Sequence, residues 1–317
     1  MKALITGVSG FVGSHLAEHL LADGDWCVAG TVYGPDDNIQ GILPELEIYP
    51  AELSRLPVVE FVLDRARPDV VFHLAALAVA GHSWRDPAGT LQTNVAMQAN
   101  ILQAVVNLRH VCRIIVVSSS EVYGAVSPDM LPIDEETPFR PLNPYAVSKV
   151  AQDMLGLQYH LSHRLDTVRV RPFNHIGARQ SLGFVAPDFA SQIARIEAGL
   201  EEPVLRVGNL GARRDFTDVK DVVRAYRLAA LHGQSGQVYN VGSGRSYAIQ
   251  HVLDTFLAQS RVPIRVEPDP TRIRPSDIPE VICNYSRLHA CTGWQPRIPL
   301  DRSLADVLAY WRVRISE

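Results

Sequence analysis

The chain has 317 residues, 47% of them hydrophobic and 20% charged, which suits one large α/β unit with an appendage or two folding units. Lys and Arg number 30 and Asp and Glu 34, so the net charge of −4 shows no basic excess typical of nucleic-acid or membrane-surface binders. The cysteines are scattered without a CxxC pair, which argues against a disulfide scaffold or zinc ribbon: Cys27, Cys112, Cys283 and Cys291. No apolar run approaches a membrane span, and residues 2–5 are too short for a signal-peptide core. We therefore expect a cytoplasmic protein with no nucleic-acid, membrane or metal partner.

Short apolar runs alternate with longer helical patterns through the first half of the chain. They predict strands at 2–5, 26–31, 69–74 and 113–118, a further strand just before Glu52, and helices at 13–22, 56–67, 91–108 and 145–163. The strands are apolar almost throughout, as is typical of strands buried on both faces. Strict alternation predicts right-handed βαβ units and an α/β fold with a doubly wound parallel sheet.

After about residue 172 the alternation ends and proline, glycine and arginine become frequent. We expect residues 1–172 to form one domain, to which 215–245 return through a helix at 218–231 and a strand at 237–241. Residues 173–214 and 246–317 are then a smaller, interleaved α/β lobe. A substrate cleft is expected between the two units.

A glycine-rich turn separates the first predicted strand from the first helix. Gly7 permits a tight turn, Gly10 lets the backbone approach a pyrophosphate, and Gly13 allows close packing of helix on strand. Phe11 and Val12 lie between Gly10 and Gly13, at the start of the helix. The N–H groups of this helix N-terminus face the position of the pyrophosphate. This pattern predicts Rossmann-like binding of a dinucleotide cofactor.

The end of the second strand ordinarily selects between NAD and NADP, through an acid for the ribose 2′-hydroxyl or an arginine for a 2′-phosphate. No acid lies at this strand end, since Asp36 and Asp37 come late, and no Lys or Arg occurs between residues 3 and 54. The lack of a local cation favours NAD, while a cation from elsewhere in the fold leaves NADP open.

Two further segments are candidates for the cofactor site. Glu52 and Leu53 follow the third strand, where they approach the adenine edge or form a solvated loop. Leu74, Ala75 and Ala76 end the fourth strand, and small residues there leave room for a dinucleotide.

Tyr145 and Lys149 are spaced i, i+4 and share one face of a helix that begins near Pro144. An ammonium near a phenol lowers the pKa of the phenol, which then exchanges a proton with a carbinol or carbonyl oxygen near neutral pH. The serines at 118–120 end the fifth strand, at the sheet edge where ligands bind, so that one hydroxyl can share this oxygen. Asn94, in the long helix, is a candidate anchor for a water chain to Lys149.

Together these motifs resemble the extended short-chain dehydrogenases/reductases, the family of nucleotide-sugar epimerases, dehydratases and reductases. The resemblance covers essentially the whole chain and includes Thr6-Gly-x-x-Gly-Phe-x-Gly13, His73-Leu-Ala-Ala76, Ser118-Ser-Ser-Glu-Val-Tyr-Gly124, Tyr145-x-x-x-Lys149 and Arg171-Pro-Phe-Asn174. It implies that Ser119, Tyr145 and Lys149 are the catalytic triad.

The second half most resembles the branch of the family that acts on GDP-linked 4-keto-6-deoxy sugars. The segments 171–177, 180–185, 207–210, 214–219 and 274–277 carry this resemblance. It implies that Asn174, Arg214 and Arg274 hold the substrate diphosphate, since arginine presents a planar fork to phosphate oxygens. Val185 and Val207 are the expected lining of the base pocket.

Three enzyme activities and one binding function remain open. In the favoured one, a 4-keto reductase, Tyr145 protonates the alkoxide that forms at C4, forming GDP-rhamnose. In a GDP-mannose 4,6-dehydratase, Glu121 is a further acid/base beside the triad. The third activity is that of another nucleotide-sugar epimerase. The binding function is that of a non-enzymatic dinucleotide-dependent regulator, against which the presence of both Tyr145 and Lys149 argues. The arginine-serine loop of many such dehydratases is missing between Thr31 and Asn38.

The resemblance also implies a homodimer that pairs the helices at about 88–108 and 145–163 in a four-helix interface. Apolar residues on the first of these helices suit an interface and a core role equally well: Leu91, Val95, Ile101, Leu102 and Val105.

Overall fold

The computed structural model describes residues 1–272 and 278–316. The strands in these ranges are β1 (Lys2–Thr6), β2 (Cys27–Val32), β3 (Leu46–Pro50), β4 (Val70–His73), β5 (Arg113–Val117), β6 (Asp166–Pro172), β7 (Asn174–Ile176), β8 (Val204–Val207), β9 (Arg213–Asp218), β10 (Val238–Val241), β11 (Ser246–Ala248) and β12 (Arg265–Pro268). The helices are α1 (Phe11–Ala22), α2 (Leu56–Ala66), α3 (Ala80–Ser83), α4 (Pro87–Leu108), α5 (Pro144–His163), α6 (Val185–Glu197), α7 (Val219–His232), α8 (Ile249–Ala258), α9 (Ser286–Thr292) and α10 (Leu300–Ser316). Short 3₁₀ segments lie at Asp37–Glu45, Ser120–Val122, Pro128–Met130 and Pro270–Arg272.

The main sheet has seven parallel strands in the order β10-β6-β5-β4-β1-β2-β3. Six of them follow the doubly wound order, with the switch point between β1 and β4, and β10 extends the sheet beyond β6. The predicted α/β class and Rossmann-like sheet are confirmed. Ligands of such sheets bind where the strands end, near the switch point.

Successive residues of a central strand enter cores on opposite faces of this sheet. Ala3 and Ile5 of β1 join a core with α1 and α7, whereas Leu4 joins a core with α2 and α4. Both faces are therefore covered, which explains why the strands are apolar almost throughout.

The long helix α4 begins four residues before its predicted start. Asp86 is its N-cap and accepts a hydrogen bond from the Gly89 amide at 2.9 Å, and Pro87 occupies the first turn. Proline is well suited to this position because its fixed φ is helical and its missing N–H is not needed there. The segment 86–89 is therefore a helix start rather than the loop that its Pro and Gly suggest.

A second core lies among α6, α8, α10 and two small sheets, ordered β11-β9-β7 and β12-β8. Helix α9 departs from this arrangement, because Leu288 and the nearby Trp294 pack into the core of the main sheet together with Val219 of α7. Within the described residues, no helix is long and apolar enough to cross a membrane.

Candidate active site

The turn after β1 has the geometry of a pyrophosphate cradle. Gly7 has a backbone φ of +68°, which residues with a side chain rarely adopt. At Gly13, an added Cβ would lie 2.2 Å from the Gly7 carbonyl oxygen, so only glycine fits there. The first turn of α1 has no acidic residue, and its N–H groups have no intrahelical partner. The residues present therefore fit a dinucleotide phosphate group.

The ends of β1 and β4 are tied together by one hydroxyl. Thr6 Oγ1 accepts the amides of Leu74 and Ala75 at 3.0 and 3.1 Å and lies 2.9 Å from His73 Nδ1. With both amides donating to it, the Thr6 hydroxyl donates its own proton to Nδ1. Burial, with a smaller contribution from Lys149, lowers the pKa of His73 to about 3, so the ring is neutral. The two amide bonds to Thr6 hold the segment 74–76 against the glycine turn.

A cavity of about 480 Å³ runs from the glycine turn to the second core. The lining includes most of the residues proposed from the sequence: Gly7, Gly10, Phe11, Val12, Gly13, Leu74, Ala76, Ser119, Glu121, Tyr145, Lys149, Asn174, Val185 and Arg214. Residues from widely separated stretches of chain thus meet in one space.

Other proposed residues lie elsewhere. Ala75 is not part of the cavity lining but packs against the α2/α4 core, with its Cα 3.3 Å from where a Cβ on Gly7 would stand. Leu53 is buried in the α2/α4 core, and its carbonyl accepts from Asn100 at 2.9 Å, while Glu52 follows β3 outside the cavity wall. Val207 also departs from expectation: it is buried in the second core, because alternate residues of β8 point inward, and Gly208 to Leu210 form the wall instead. Arg274 lies outside the described residues.

Tyr145 and Lys149 stand on the first two turns of α5. Asn143 is the N-cap of this helix, with Oδ1 accepting the Ala146 amide at 2.8 Å. Lys149 Nζ donates to the Val117 carbonyl at 2.9 Å and lies 5.9 Å from the centre of the Tyr145 ring. The predicted shared helix face is therefore present, at the carboxyl end of β5.

The expected acidification of the phenol is not found. Burial raises the pKa of Tyr145 above its ordinary value, the charge of Glu121 raises it further, and a hydrogen bond with Ser119 opposes both. Burial also lowers the pKa of Lys149 to about 7, so this amine is only partly charged near neutral pH. A buried, weakly charged amine that donates to a carbonyl has little effect on the phenol.

Asn94 serves a local structural purpose rather than contacting Lys149. Its Oδ1 accepts the Leu77 amide at 2.8 Å, and its Nδ2 donates to Ser148 Oγ at 3.0 Å. The side chain is fully buried and joins α4 to α5. The water chain from Asn94 to Lys149 stays a prediction.

Glu121 is held beside the phenol by two short-range contacts. Asn143 Nδ2 donates to Glu121 Oε2 at 2.6 Å, and the Glu121 amide donates to Ser119 Oγ at 3.2 Å. The sequence does not point to the side-chain amide of Asn143 as part of the site, because its local pattern shows only a residue that precedes a helix.

Two arginines that follow β7 in the chain bring cationic side chains to the far end of the cavity. Arg214 Nη1 donates to the Ile278 carbonyl at 2.6 Å, and Arg272 lies 3.4 Å from Asp269 and 3.8 Å from Asp188. Arg272 lines the cavity but was not singled out in the sequence, because nothing in its local pattern distinguishes it from a surface arginine.

A buried ionic cluster supports the wall behind α5. Asp153, fully buried, accepts Arg169 Nη1 at 2.8 Å and Arg171 Nε at 2.8 Å. Arg171 Nη1 also donates to the hydroxyl of Tyr123 at 2.9 Å. The arginine that opens the 171–174 motif therefore ties β6 to α5 and to the loop after β5, and its neighbour Asn174 reaches the cavity.

A cation that follows β7 in the chain also approaches the segment after β2. Arg179 donates to the Asn38 carbonyl at 3.1 Å and to both carboxylate oxygens of Glu18 at 2.7 and 2.6 Å. Asn38 in turn donates to the Ser9 carbonyl in the glycine turn at 2.9 Å. This is the kind of distant cation that sequence reasoning left open.

Comparison with known proteins gives one consistent family. The family model for GDP-mannose 4,6 dehydratase matches residues 4–307. The chain is 36% identical to GDP-6-deoxy-D-mannose reductase of Pseudomonas aeruginosa over 321 residues, covering 100% of this chain and 99% of the relative. The solved structure of RMD from Pseudomonas aeruginosa complexed with NADPH matches with a TM-score of 0.87 and 35% identity over 99% of both chains. UDP-glucose 4-epimerase of Thermus thermophilus, solved with NAD, matches with a TM-score of 0.86 and 29% identity over 98% of this chain and 99% of that one. The full-length match, on a fold and a cavity that suit it, shows that the chain belongs to the GDP-mannose 4,6-dehydratase family of the extended short-chain dehydrogenases/reductases.

Proposed function

We propose that this protein reduces the 4-keto group of a GDP-6-deoxy-4-keto-hexose, forming GDP-rhamnose with NADH or NADPH as reductant. The observation that carries the proposal is one cavity in which the glycine turn, Tyr145 and Lys149 meet cationic side chains of the second lobe. The relative at 36% identity, named a GDP-6-deoxy-D-mannose reductase, supports the choice of sugar and base.

The reaction needs a hydride, a proton and a fixed carbonyl. When bound, the reduced nicotinamide supplies the hydride to C4. Tyr145 donates the proton to the oxygen at C4, and Ser119 hydrogen-bonds the same oxygen as charge develops there. Lys149 holds the nicotinamide ribose. Burial keeps the phenol protonated, which is the state a proton donor requires.

The two hydrophobic cores correspond to two proposed roles, cofactor binding and substrate binding. Residues 1–172 with 215–245 form the cofactor-binding domain, and 173–214 with 246–317 form the substrate lobe, from which helix α9 docks back on the first core. Asn174, Arg214 and Arg274 bind the diphosphate and Val185 the base. Arg272 joins this set because it lines the same end of the cavity.

Both cofactor forms fit the proposal. The glycine turn, with Leu74 to Ala76 beside it, holds the dinucleotide; Glu52 and Leu53, which lie outside the cavity, stay candidates for its adenine end only through their place after β3. NAD is favoured because the chain has no Lys or Arg between residues 3 and 54, and because Arg179 is engaged by Glu18. Because one related structure was solved with NADPH and another with NAD, both cofactors are to be tested.

The protein is proposed to act as a homodimer in the cytoplasm. Three apolar side chains spaced seven residues apart lie exposed on one face of α5: Val147, Met154 and Leu161. Such a stripe suits the helix pairing implied by the family resemblance. Sedimentation should give twice the chain mass, and Leu161→Glu should give the monomer.

The four cysteines are free thiols, which suits a reducing compartment.

The decisive experiment offers each substrate to the purified protein. A GDP-6-deoxy-4-keto-hexose with NADH or NADPH should show loss of the reduced-nicotinamide absorbance and a rhamnosyl product. Tyr145→Phe should lower this rate by about 10²–10⁴-fold while cofactor binding is retained. Full activity in that variant, or no turnover by the wild type, contradicts the proposal.

GDP-mannose 4,6-dehydratase activity is the second candidate, because Glu121 lies in the cavity beside Tyr145 and the family model carries that name. GDP-mannose with the oxidised cofactor tests it directly. A 4-keto product would establish dehydration, and its absence alongside reduction of the keto sugar would leave the reductase alone.

A further inference from the structure

The segment after β2 lies where doubly wound proteins bind the adenosine ribose of a dinucleotide, and where its 2′ position is recognised. Asn38 fixes this segment to the glycine turn, because its Nδ2 donates to the Ser9 carbonyl at 2.9 Å. The Val8 amide in turn donates to the Thr31 carbonyl of β2 at 3.1 Å. A ribose 2′-hydroxyl or 2′-phosphate is therefore expected beside Ser9 and Asn38.

Arg179 brings a cation to this segment from the turn that follows β7. Its Nη1 donates to the Asn38 carbonyl at 3.1 Å, and its side chain is only 16% exposed. Its backbone φ of +71° is a left-handed conformation that is strained in a residue with a side chain. The contacts of the guanidinium therefore hold this turn in place, and they also decide whether its charge is available to a phosphate.

Most N–H groups of this guanidinium already have an acceptor. Nη1 donates to Glu18 Oε1 at 2.7 Å as well as to the Asn38 carbonyl. Nη2 donates to Glu18 Oε2 at 2.6 Å and to His15 Nδ1 at 2.8 Å. The His15 ring accepts at Nδ1 because Nε2 donates to the Ala178 carbonyl at 2.9 Å, and burial lowers its pKa to about 4. Four of the five N–H groups of an arginine are thus in use.

We infer that Glu18 is a cofactor-specificity residue: it occupies the N–H fork and the charge of Arg179, so that the protein favours NADH over NADPH. The inference rests on the proposed function, whose reductant it specifies. Glu18 binds Arg179 through both carboxylate oxygens, in the geometry that an arginine otherwise offers to a phosphate. The pair carries no net charge, so it attracts a 2′-phosphate little, whereas the neutral ribose hydroxyl of NADH needs no cation.

Binding of the two reduced cofactors tests the inference without the keto sugar. Nicotinamide fluorescence gives a dissociation constant for each, and the ratio of the two cancels effects that both cofactors share, such as a displaced glycine turn. The wild type should bind NADH more tightly, and tighter binding of NADPH overturns the inference. Glu18→Gln keeps one oxygen that accepts from Arg179 but leaves the guanidinium charge uncompensated. NADPH should then bind about tenfold more tightly, with NADH unchanged, and an unchanged ratio overturns the inference.

A double variant shows whether this gain depends on Arg179. Glu18→Gln combined with Arg179→Met removes both charges of the pair, so the ratio of the two dissociation constants should return to the wild-type value. A gain that survives the double change does not depend on Arg179 and overturns the inference. A ratio that favours NADH more strongly than in the wild type also overturns it, because Arg179 would then already serve the phosphate.

Asp37→Asn is the matched control, because it removes one negative charge from the same segment. Asp37 lies 3.9 Å from Arg314, but both side chains are at least half exposed. Charges in such an exposed pair are screened by water and salt, so the ratio should stay at the wild-type value. A shift as large as that of Glu18→Gln would show that any acid after β2 has this effect, and it would overturn the assignment to Glu18.

Two adenosine nucleotides that differ only in a 2′-phosphate repeat the test at the adenosine end alone. By calorimetry, Glu18→Gln should bind adenosine 2′,5′-bisphosphate more tightly than the wild type does and should bind 5′-AMP equally well. Equal gains for both nucleotides overturn the inference. A shifted ratio in a protein that reduces no keto sugar upholds the inference and counts against the proposed function. An unshifted ratio in an active reductase overturns the inference and leaves the proposed function standing.

Discussion

Gly13→Ala sets local helix preference against tertiary packing, with opposite signs. Gly13 lies in α1, where alanine is favoured over glycine by about 1 kcal/mol on propensity alone. The new Cβ would stand 2.2 Å from the Gly7 carbonyl oxygen and 2.9 Å from the Val8 Cα, both of them backbone atoms. To restore a normal van der Waals distance, the Gly7 carbonyl oxygen and the new Cβ must move apart by roughly 1 Å.

Forced repacking of this kind costs about 1–3 kcal/mol, which exceeds the gain in propensity. We expect a lower free energy of unfolding in urea and at least a tenfold weaker affinity for the cofactor, since the displaced turn lines the cavity. Gly41→Ala is the matched control, because a Cβ there has no neighbour within 4 Å. Gly13→Ala with wild-type or greater stability and unchanged cofactor affinity would refute the reasoning.

Three further variants follow from the buried charges and the cavity wall. Asp153→Ala should lower the free energy of unfolding by about 3–5 kcal/mol, because it leaves Arg169 and Arg171 buried without their partner; a loss below 1 kcal/mol in urea unfolding would contradict this. Lys149→Met should abolish turnover yet raise stability by about 1–4 kcal/mol at pH 7, because the folded-state pKa of Lys149 is lowered to about 7 from 10.5. Since the unfolded chain binds more protons between these values, this advantage is full below pH 7 and should fade towards pH 10; a gain that is constant with pH would count against a lowered pKa. Arg272→Gln should raise KM for the nucleotide sugar about tenfold with kcat little changed, and an equal KM would place the side chain outside the substrate site.

Much of the fold and part of the site follow from local pattern. The apolar strands and amphipathic helices of residues 1–172 repeat with regular periods, and a parallel sheet is the arrangement that buries both faces of such strands. Gly7 to Gly13 and the i, i+4 pair Tyr145 and Lys149 are equally local, because one turn and one helix place them. The pattern of α4 predicts a later start than the structure shows, because Pro87 and Gly89 suit both a loop and a helix start.

The remaining features depend on which distant side chains meet and how deeply they are buried. Val207 enters a core and Arg272 a cavity wall, although each looks unremarkable in its own segment. The bond from Asn143 to Glu121 spans 22 positions. The pKa of Tyr145 rises where sequence reasoning expected it to fall, because helical spacing gives the distance to an amine but not the burial of either group. Periodicity in a chain reports short-range backbone geometry, whereas contact and desolvation arise only when remote segments pack together.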